Sequence, residues 1–432
     1  MSRHDFYFAA WAIVLPITSI LLLPSVQGTT PGNLFALAVI CPPISVLVIP
    51  KDMLLRFYYD LILFVLLYAA LNAMAQLSLS FSQIVHFPLN LSLVDSLDTD
   101  RRILMRKTMF SQSLYVLAAA STFFFVKHLY SVRWDKYLFT GAIVFAIYGI
   151  YECVYFLVFE DSGDFLSNRA IDSGNLFGDV HTGSWSQTIH LGPLWVQRLK
   201  SLAGEPSMYA FAILPFWIYA LHTKRTFTHV LLFITLLLST STTAMLGIFV
   251  YFIFRLCYFG PADKIVFVSL IVLVTVLVMG LSGNTIVLDI YSQIIEAKVT
   301  LQSGSSGAGR YDNFLNTTDF FLNGSLLTQV FGIGNGYVRS TDFFSTILVN
   351  LGVVGLIITT WIFVYPVLKL GNTEAEVGLK AAVLTMFITL MVAVPDYTIL
   401  PLSLFLGIAY SYISKPRSLL SSVSRPREIQ TF

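Results

Sequence analysis

Charge is what this chain has least of. Of its 432 residues only 12 % are Asp, Glu, Lys or Arg, while 56 % are hydrophobic and the mean hydropathy is +0.76. That balance excludes an ordinary soluble globular domain and indicates a polytopic integral membrane protein. The formal net charge of +2 says little about partners, because across a bilayer the placement of charge matters more than its sum; no nucleic-acid partner is expected. Cysteine is scarce too. Cys41, Cys153 and Cys257 fall in apolar runs without CxxC or metal-type spacing, so no disulfide or thiol chemistry is indicated. A P-loop, an HExxH and a GxSxG are all missing, and the seven histidines show no ligand spacing. No inverted or parallel repeat relates the two halves, as many transporters would show.

Long apolar runs are what remains. A hydrocarbon core of roughly 30 Å takes about 20 apolar residues per helix. Spans are therefore expected near 6–26, 33–49, 54–78, 109–130, 137–159, 206–222, 227–240, 242–259, 264–282, 343–369, 379–394 and 397–413. The run at 6–26 is too long for a secretory signal and lacks a cleavage site, so it is counted as a retained span. "LLLSTSTTAML" must make a tight turn between the seventh and eighth. The expected fold class is all-α: one membrane domain over 1–432, a bundle of about twelve transmembrane helices with large, partly helical loops.

Lys and Arg favour the cytoplasmic side of short loops. An inside N-terminus puts Arg3, Lys51, Arg56, Lys127, Arg133, Lys136, Lys224, Arg225, Arg255, Lys264, Lys369, Lys380, Lys415, Arg417, Arg425 and Arg427 in the cytoplasm, with both termini. The other cations, among them Arg169, fall in three long loops on the opposite face, near 79–108, 160–205 and 283–342. The basic run "RRILMRK" at 101–107 strains this assignment and leaves two readings open: a helix miscounted upstream, or a patch that meets an anionic lipid head group. Within the last loop, residues 285–299 set Val287, Ile290, Tyr291 and Ile294 opposite Asp289, Gln293 and Glu296, as an amphipathic surface helix would. "SGSSGAG" at 303–309 reads as a flexible joint, and "GIGNGY" at 332–337, without a strand-helix-strand context, as a turn.

Two loop-to-helix junctions collect the charge on that face. Arg198, Lys200 and Glu205 precede the sixth span; Arg310, Asp312, Arg339 and Asp342 precede the tenth. Pro206 suits a first helical turn, which puts Glu205 at the N-cap or just before it. Guanidinium groups bind phosphate oxygens in a fork and keep their proton. Arg198, Lys200, Arg310 and Arg339 are thus candidate ligands for a lipid diphosphate in the outer leaflet, stabilising negative charge as the diphosphate departs. Glu205 or Asp342 is the candidate general base for an incoming hydroxyl. The bland reading makes each of these an interfacial anchor or a structural salt bridge.

These stretches, "RLKSLAGEPSMYAF", "LLLSTSTTAMLG", "GAGRYDNF" and "GIGNGYVRSTDFFSTILVNLGVVGL", in this order relative to the spans, resemble the O-antigen polymerase and ligase superfamily of bacterial envelope glycosyltransferases. Carried over by motif, the family's loop arginines correspond to Arg198 and Arg310. In the ligase branch a histidine precedes the Gly-x-x-Gly span, here Gly352 to Gly355, and Thr341 and Asp342 stand where a His-Asn pair would be. That departure, with the "GEPS" border, favours the polymerase branch. The resemblance implies a metal-independent, inverting transferase in the inner membrane, with no cofactor and a periplasmic active site. It would move a growing glycan from undecaprenyl diphosphate to the non-reducing end of a lipid-linked repeat unit, beside a flippase and a chain-length regulator.

Two alternatives stand beside it: an O-antigen ligase acting on lipid A core, and a polysaccharide or lipid-linked oligosaccharide exporter. Transporters generally keep ionisable residues inside their spans. Here Asp60 and Glu152 are the clearest such residues, and each is expected to be buried and hydrogen-bonded without a mechanistic role.

Overall fold

The computed structural model describes residues 2–23, 26, 28–82, 87–88, 90–94, 103–169, 187–191, 194–281, 292, 296 and 306–414. Arg101, Arg102, Lys298, Lys415, Arg417, Arg425 and Arg427, nearly all of the expected amphipathic stretch and the start of "SGSSGAG" lie outside them. Fifteen α-helices are described: α1 (Arg3–Val14), α2 (Pro31–Ala38), α3 (Pro42–Val48), α4 (Lys51–Phe81), α5 (Lys107–Leu129), α6 (Asp135–Phe159), α7 (Pro206–His222), α8 (Thr226–Leu238), α9 (Thr242–Phe259), α10 (Lys264–Leu281), α11 (Ser306–Leu322), α12 (Leu326–Phe331), α13 (Phe343–Lys369), α14 (Glu374–Ala393) and α15 (Leu400–Ser414). A short antiparallel hairpin, β1 (Thr188–Leu191) with β2 (Leu194–Gln197), pairs Ile189 with Val196.

The chain is a helical membrane bundle. Among the described residues, six helices are long and apolar enough to cross a membrane: α4, α5, Val132–Phe159, α9, α13 and α14, with α2 and α3 a seventh if that pair, bent by 86°, is one span. Helix α7 is buried along nearly its whole length against α8, α9 and α14, so it is apolar on every side because protein surrounds it. The expected first span is shorter than its apolar run. Helix α1 stops at Val14, because Pro16 has no N–H for the next helical bond and its ring crowds the preceding turn. Beyond it the backbone finds partners elsewhere in the bundle: the N–H groups of Thr18 and Ser19 donate to the Leu202 carbonyl, and the Ser19 carbonyl accepts from Asn168 and Arg169. Irregular backbone within a bundle is tolerated when its polar groups are satisfied in this way.

A second irregularity shapes one end of the molecule. Helix α13 is broken at Gly352, which adopts φ +67° and ψ −169°, a conformation open to glycine and strained for other residues. The break frees the carbonyls of Val349 and Asn350, and these accept from Ile333 N at 3.0 Å and Gly334 N at 2.8 Å. The approach is close enough to exclude side chains: a Cβ on Gly352 would lie 2.3 Å from the Val330 carbonyl oxygen, and one on Gly332 would lie 2.4 Å from that of Asn350. The Asn350 side chain then grips Val338, accepting from its N–H at 3.0 Å and donating to its carbonyl at 2.8 Å. "GIGNGY" is thus the expected turn, and it is fastened across a broken helix.

Helix α4 completes the fastening from the other side. Tyr68, Asn72 and Gln76 recur every four residues on one face, and all three bond the turn directly. Gln76 donates to the Ile333 carbonyl, Asn72 accepts from Asn335 N, and Ser78 donates to the Gly332 carbonyl. Leu79, Leu91, Ile333, Tyr337, Val338 and Val349 form a small second core there.

Replacing Gly352 by Ala should cost about 1–3 kcal/mol from backbone conformation alone, before the steric clash is counted. The thermal midpoint of the detergent-solubilised protein should fall clearly for Gly352→Ala. Gly309→Ala, in α11 where a Cβ meets nothing within 4 Å, should leave the midpoint unchanged or raise it.

Candidate functional site

Arg339 leaves the fastened turn at its outer edge. Its Nη2 lies 3.9 Å from Asp396 Oδ2, and both side chains keep part of their surface exposed. Asp396 belongs to the short connection between α14 and α15, where its Oδ1 accepts from Thr398 N at 2.9 Å and Thr398 Oγ1 at 2.6 Å. The next residue, Tyr397, is locked in place: its hydroxyl donates to Asn335 Oδ1, and Asn335 Nδ2 donates to the Tyr68 hydroxyl. Burial holds the Tyr397 hydroxyl well above the ordinary tyrosine value, so it serves as a neutral donor.

Arg169 approaches from the segment that follows α6. Its backbone N–H donates to the Ser19 carbonyl and its Nη1 to the Thr18 carbonyl at 3.2 Å. Arg169, Arg339 and Asp396 line a recess of about 60 Å³ with Gln112, Tyr115 and Thr398. A smaller recess of about 30 Å³ adjoins it through Gln112, Arg339, Asp396 and Thr398, and reaches Asn335 and Thr346. Two guanidinium groups and the Asp396 carboxylate thus line one cleft. Guanidinium groups are the side chains suited to phosphate oxygens, and a carboxylate beside them is able to take a proton.

The six side chains expected to form the site divide among several places, and among them Arg339 alone lines this cleft. Arg198 turns to the α8–α9 connection: Nε donates to Thr240 Oγ1 at 3.0 Å and to the Ser239 carbonyl at 3.3 Å, Nη2 donates to the Thr240 carbonyl at 3.1 Å, and Nη1 donates to Gln187 Oε1. Two of the stretches that carry the resemblance thereby meet. Burial lowers the Arg198 guanidinium from its ordinary value, partly offset by the charge of Glu205. Glu205 is the N-cap of α7 with Pro206 after it, as expected, and accepts from Ser207 Oγ at 2.6 Å. Arg310 donates to the Ala393 carbonyl at 2.9 Å and its own carbonyl accepts from Thr341 Oγ1, so it braces the end of α14 three residues before Asp396.

Two of the expected residues are engaged away from the cleft. Asp342 caps α13: Oδ1 accepts from Ser345 N at 2.7 Å, Oδ2 accepts from Ser345 Oγ at 2.7 Å and Ser340 Oγ at 3.3 Å, and the residue is 5 % exposed. Both oxygens are occupied and away from solvent, which suits a helix cap and not a proton acceptor. Lys200 is fully buried between Glu152 at 3.0 Å and Asp164 at 2.7 Å. Its ammonium holds two carboxylates together and has no face toward a diphosphate. Glu152 is accordingly a buried, paired residue, and Asp60 likewise pairs with Lys127 and His128.

Arg169, Asp396, Tyr115, Gln112 and Tyr397 were not singled out from the sequence. Asp396 carried a usable signal, as a lone charge after Pro395 between two apolar runs. Arg169 carried none beyond its place in a long loop. Among the described residues, no group of three or more His, Cys, Asp and Glu side chains gathers as a metal-ligand set. No family model, no curated protein and no solved structure matches this chain.

Removing the Lys200 ammonium leaves two carboxylates buried without compensation, which typically costs 3–5 kcal/mol. Lys200→Met should therefore lower the yield of folded protein sharply on size exclusion. Burial raises the Asp164 carboxyl, but the charge and hydrogen bond of Lys200 outweigh it and hold the group below its ordinary 3.8. A depressed carboxyl stabilises the fold above its unfolded value, and that contribution is lost as pH falls through the folded value. The gap in thermal midpoint between the native chain and Asp164→Asn should accordingly narrow as pH falls from about 7 to about 3.

Proposed function

We propose that this chain is an inverting glycan polymerase of the bacterial cytoplasmic membrane, transferring a growing glycan from undecaprenyl diphosphate to the non-reducing end of a lipid-linked repeat unit. The observation that carries this reading is the cleft that Arg169 and Arg339, distant in sequence, line together with the carboxylate of Asp396 at one end of a membrane bundle. The family resemblance supplies the substrate class. With the N-terminus inside, as the distribution of Lys and Arg favours, the cleft opens to the periplasm. Counting α1, the α2–α3 pair, α7, α8, α10 and α15 as crossings brings the bundle to twelve. A flippase would deliver the substrate and a chain-length regulator would act alongside.

In this mechanism Arg169 and Arg339 hold the donor diphosphate. Asp396 takes the proton of the acceptor hydroxyl, whose oxygen attacks the anomeric carbon from the face opposite the diphosphate. The carbon–oxygen bond to the diphosphate breaks, and the departing oxygen keeps the electron pair against the two guanidinium groups. No metal or other cofactor is required by this scheme. Arg198 and Arg310 act by position, bracing the α8–α9 connection and the end of α14. Polymerase is favoured over ligase because Thr341 and Asp342 offer no imidazole where the ligase branch carries one. Exporter chemistry is disfavoured because Asp60 and Glu152 are both held in ion pairs.

The test is a glycan ladder from a deletion strain supplied with the cognate repeat-unit pathway. Complementation should turn a single capped repeat into a ladder. Arg169→Ala and Arg339→Ala should each reduce polymer by about 10²–10³-fold at equal protein level, and Asp396→Asn should do the same. A full ladder from Arg339→Ala beside none from Arg198→Ala would return the phosphate clamp to Arg198. In the deletion strain, polymer that accumulates on its lipid carrier without reaching lipid A core would identify a ligase, and repeat units trapped inside the cell would identify an exporter.

A further inference from the structure

A groove of about 340 Å³ lies between α4 and α5, far larger than the recesses of the charged cleft. Phe64, Val65, Ala69, Met105, Met109 and Phe110 give it apolar walls, and the exposed faces of Val65, Met105 and Phe110 show that it opens sideways. Both helices are long and apolar enough to cross a membrane, so what lies against this opening is hydrocarbon. The polar groups on its floor are already matched: Tyr68 bonds Ser113 and Asn335, and Asn72 bonds the Tyr68 carbonyl and Asn335 N. An apolar trough whose named polar groups are already bonded suits a hydrocarbon chain and not a polar guest.

The groove backs onto the smaller recess of the cleft. Val116 lines both, and Asn335 joins their walls, donating to Tyr68 on the groove side and accepting from Tyr397 on the cleft side. From Phe64 to Gln76 the groove follows about 18 Å of α4, long enough for a substantial length of one lipid chain. Met105 and Met109 at its upper end are unbranched and adapt to an irregular guest. We infer that this groove holds the polyprenyl chain of the donor while the diphosphate of the same molecule occupies the arginine cleft. The inference rests on the polymerase reading and adds to it a lateral port through which the donor enters from the membrane, between α4 and α5.

The test uses the full-length chain in nanodiscs with two probes, undecaprenyl diphosphate and isopentenyl diphosphate, which share a head group and differ in tail. A diazirine placed in the tail of undecaprenyl diphosphate should label residues between 64 and 76 and between 105 and 117, and unlabelled undecaprenyl diphosphate should suppress that labelling. Ala69→Trp and Ala73→Trp narrow the groove. Each should lower the preference for undecaprenyl over isopentenyl diphosphate by at least about tenfold, the equivalent of withholding burial from two methylenes. Labelling on the native chain does not depend on either variant folding. Competed labelling confined to other helices would overturn the groove while leaving the cleft standing. Labelling that a neutral phospholipid suppresses as well would show ordinary boundary lipid and overturn it too. Failure of both diphosphates to bind would remove the cleft and the groove together.

Discussion

The break at Gly352 is the constraint on which the charged end of this molecule depends. A continuous α13 would keep the carbonyls of Val349 and Asn350 within its own ladder. Broken there, it offers them to Ile333 and Gly334, and the Gly332–Tyr337 turn is drawn down until backbone meets backbone. Everything that follows in the cleft is hung from that contact: Asn350 fixes Val338, Val338 sets the exit of Arg339, and Asn335 fixes Tyr397 beside Asp396. A loop that carries charge next to a bilayer would otherwise sample many positions at a conformational entropy cost on binding. Here main-chain hydrogen bonds have met that cost in the fold itself.

The second arginine is supported by a different device of the same kind. The chain after α1 is irregular, and its backbone groups are met by Asn168, Arg169 and Leu202. The segment that carries Arg169 is tied in turn through Asp164 to the buried Lys200, which also holds Glu152 of α6. A buried ion pair contributes little net stability against an apolar replacement, yet breaking it by removing one partner is expensive. In this position it fixes which loop lies against which helix. Arg198 and Arg310, each bound to main-chain carbonyls, extend this bracing to the α8–α9 connection and to the end of α14.

Much of this was legible in advance, and the divide follows the physics. Apolar runs report helices well, and α4 to α10 and α13 to α15 lie close to the expected spans, including the tight turn at Thr240. What the runs do not report is where helices stop for local reasons: Pro16 cuts the first short, and the stretch around Pro42 bends the second. For the candidate site, the sequence pointed to loop-to-helix junctions as a group, because cations gather beside apolar borders there, and Arg339 of that group lines the cleft. It could not say which charges face each other. Lys200 and Asp342 look the same in one dimension as Arg339, and only the partners supplied by Glu152, Asp164, Ser340 and Ser345 separate a structural charge from one that lines a cleft. Arg169 and Asp396 are about 230 residues apart, and no spacing rule joins them.

Arg169 and Arg339 are proposed to grip a lipid diphosphate beside Asp396. An experimental structure of the full chain with undecaprenyl diphosphate bound addresses this most directly. Diphosphate density is expected between the two guanidinium groups, within hydrogen-bonding distance of both, with the Asp396 carboxylate at the edge of the same cleft. Density seated instead on Arg198 or Arg310, with the Arg169–Arg339 cleft empty, would contradict it.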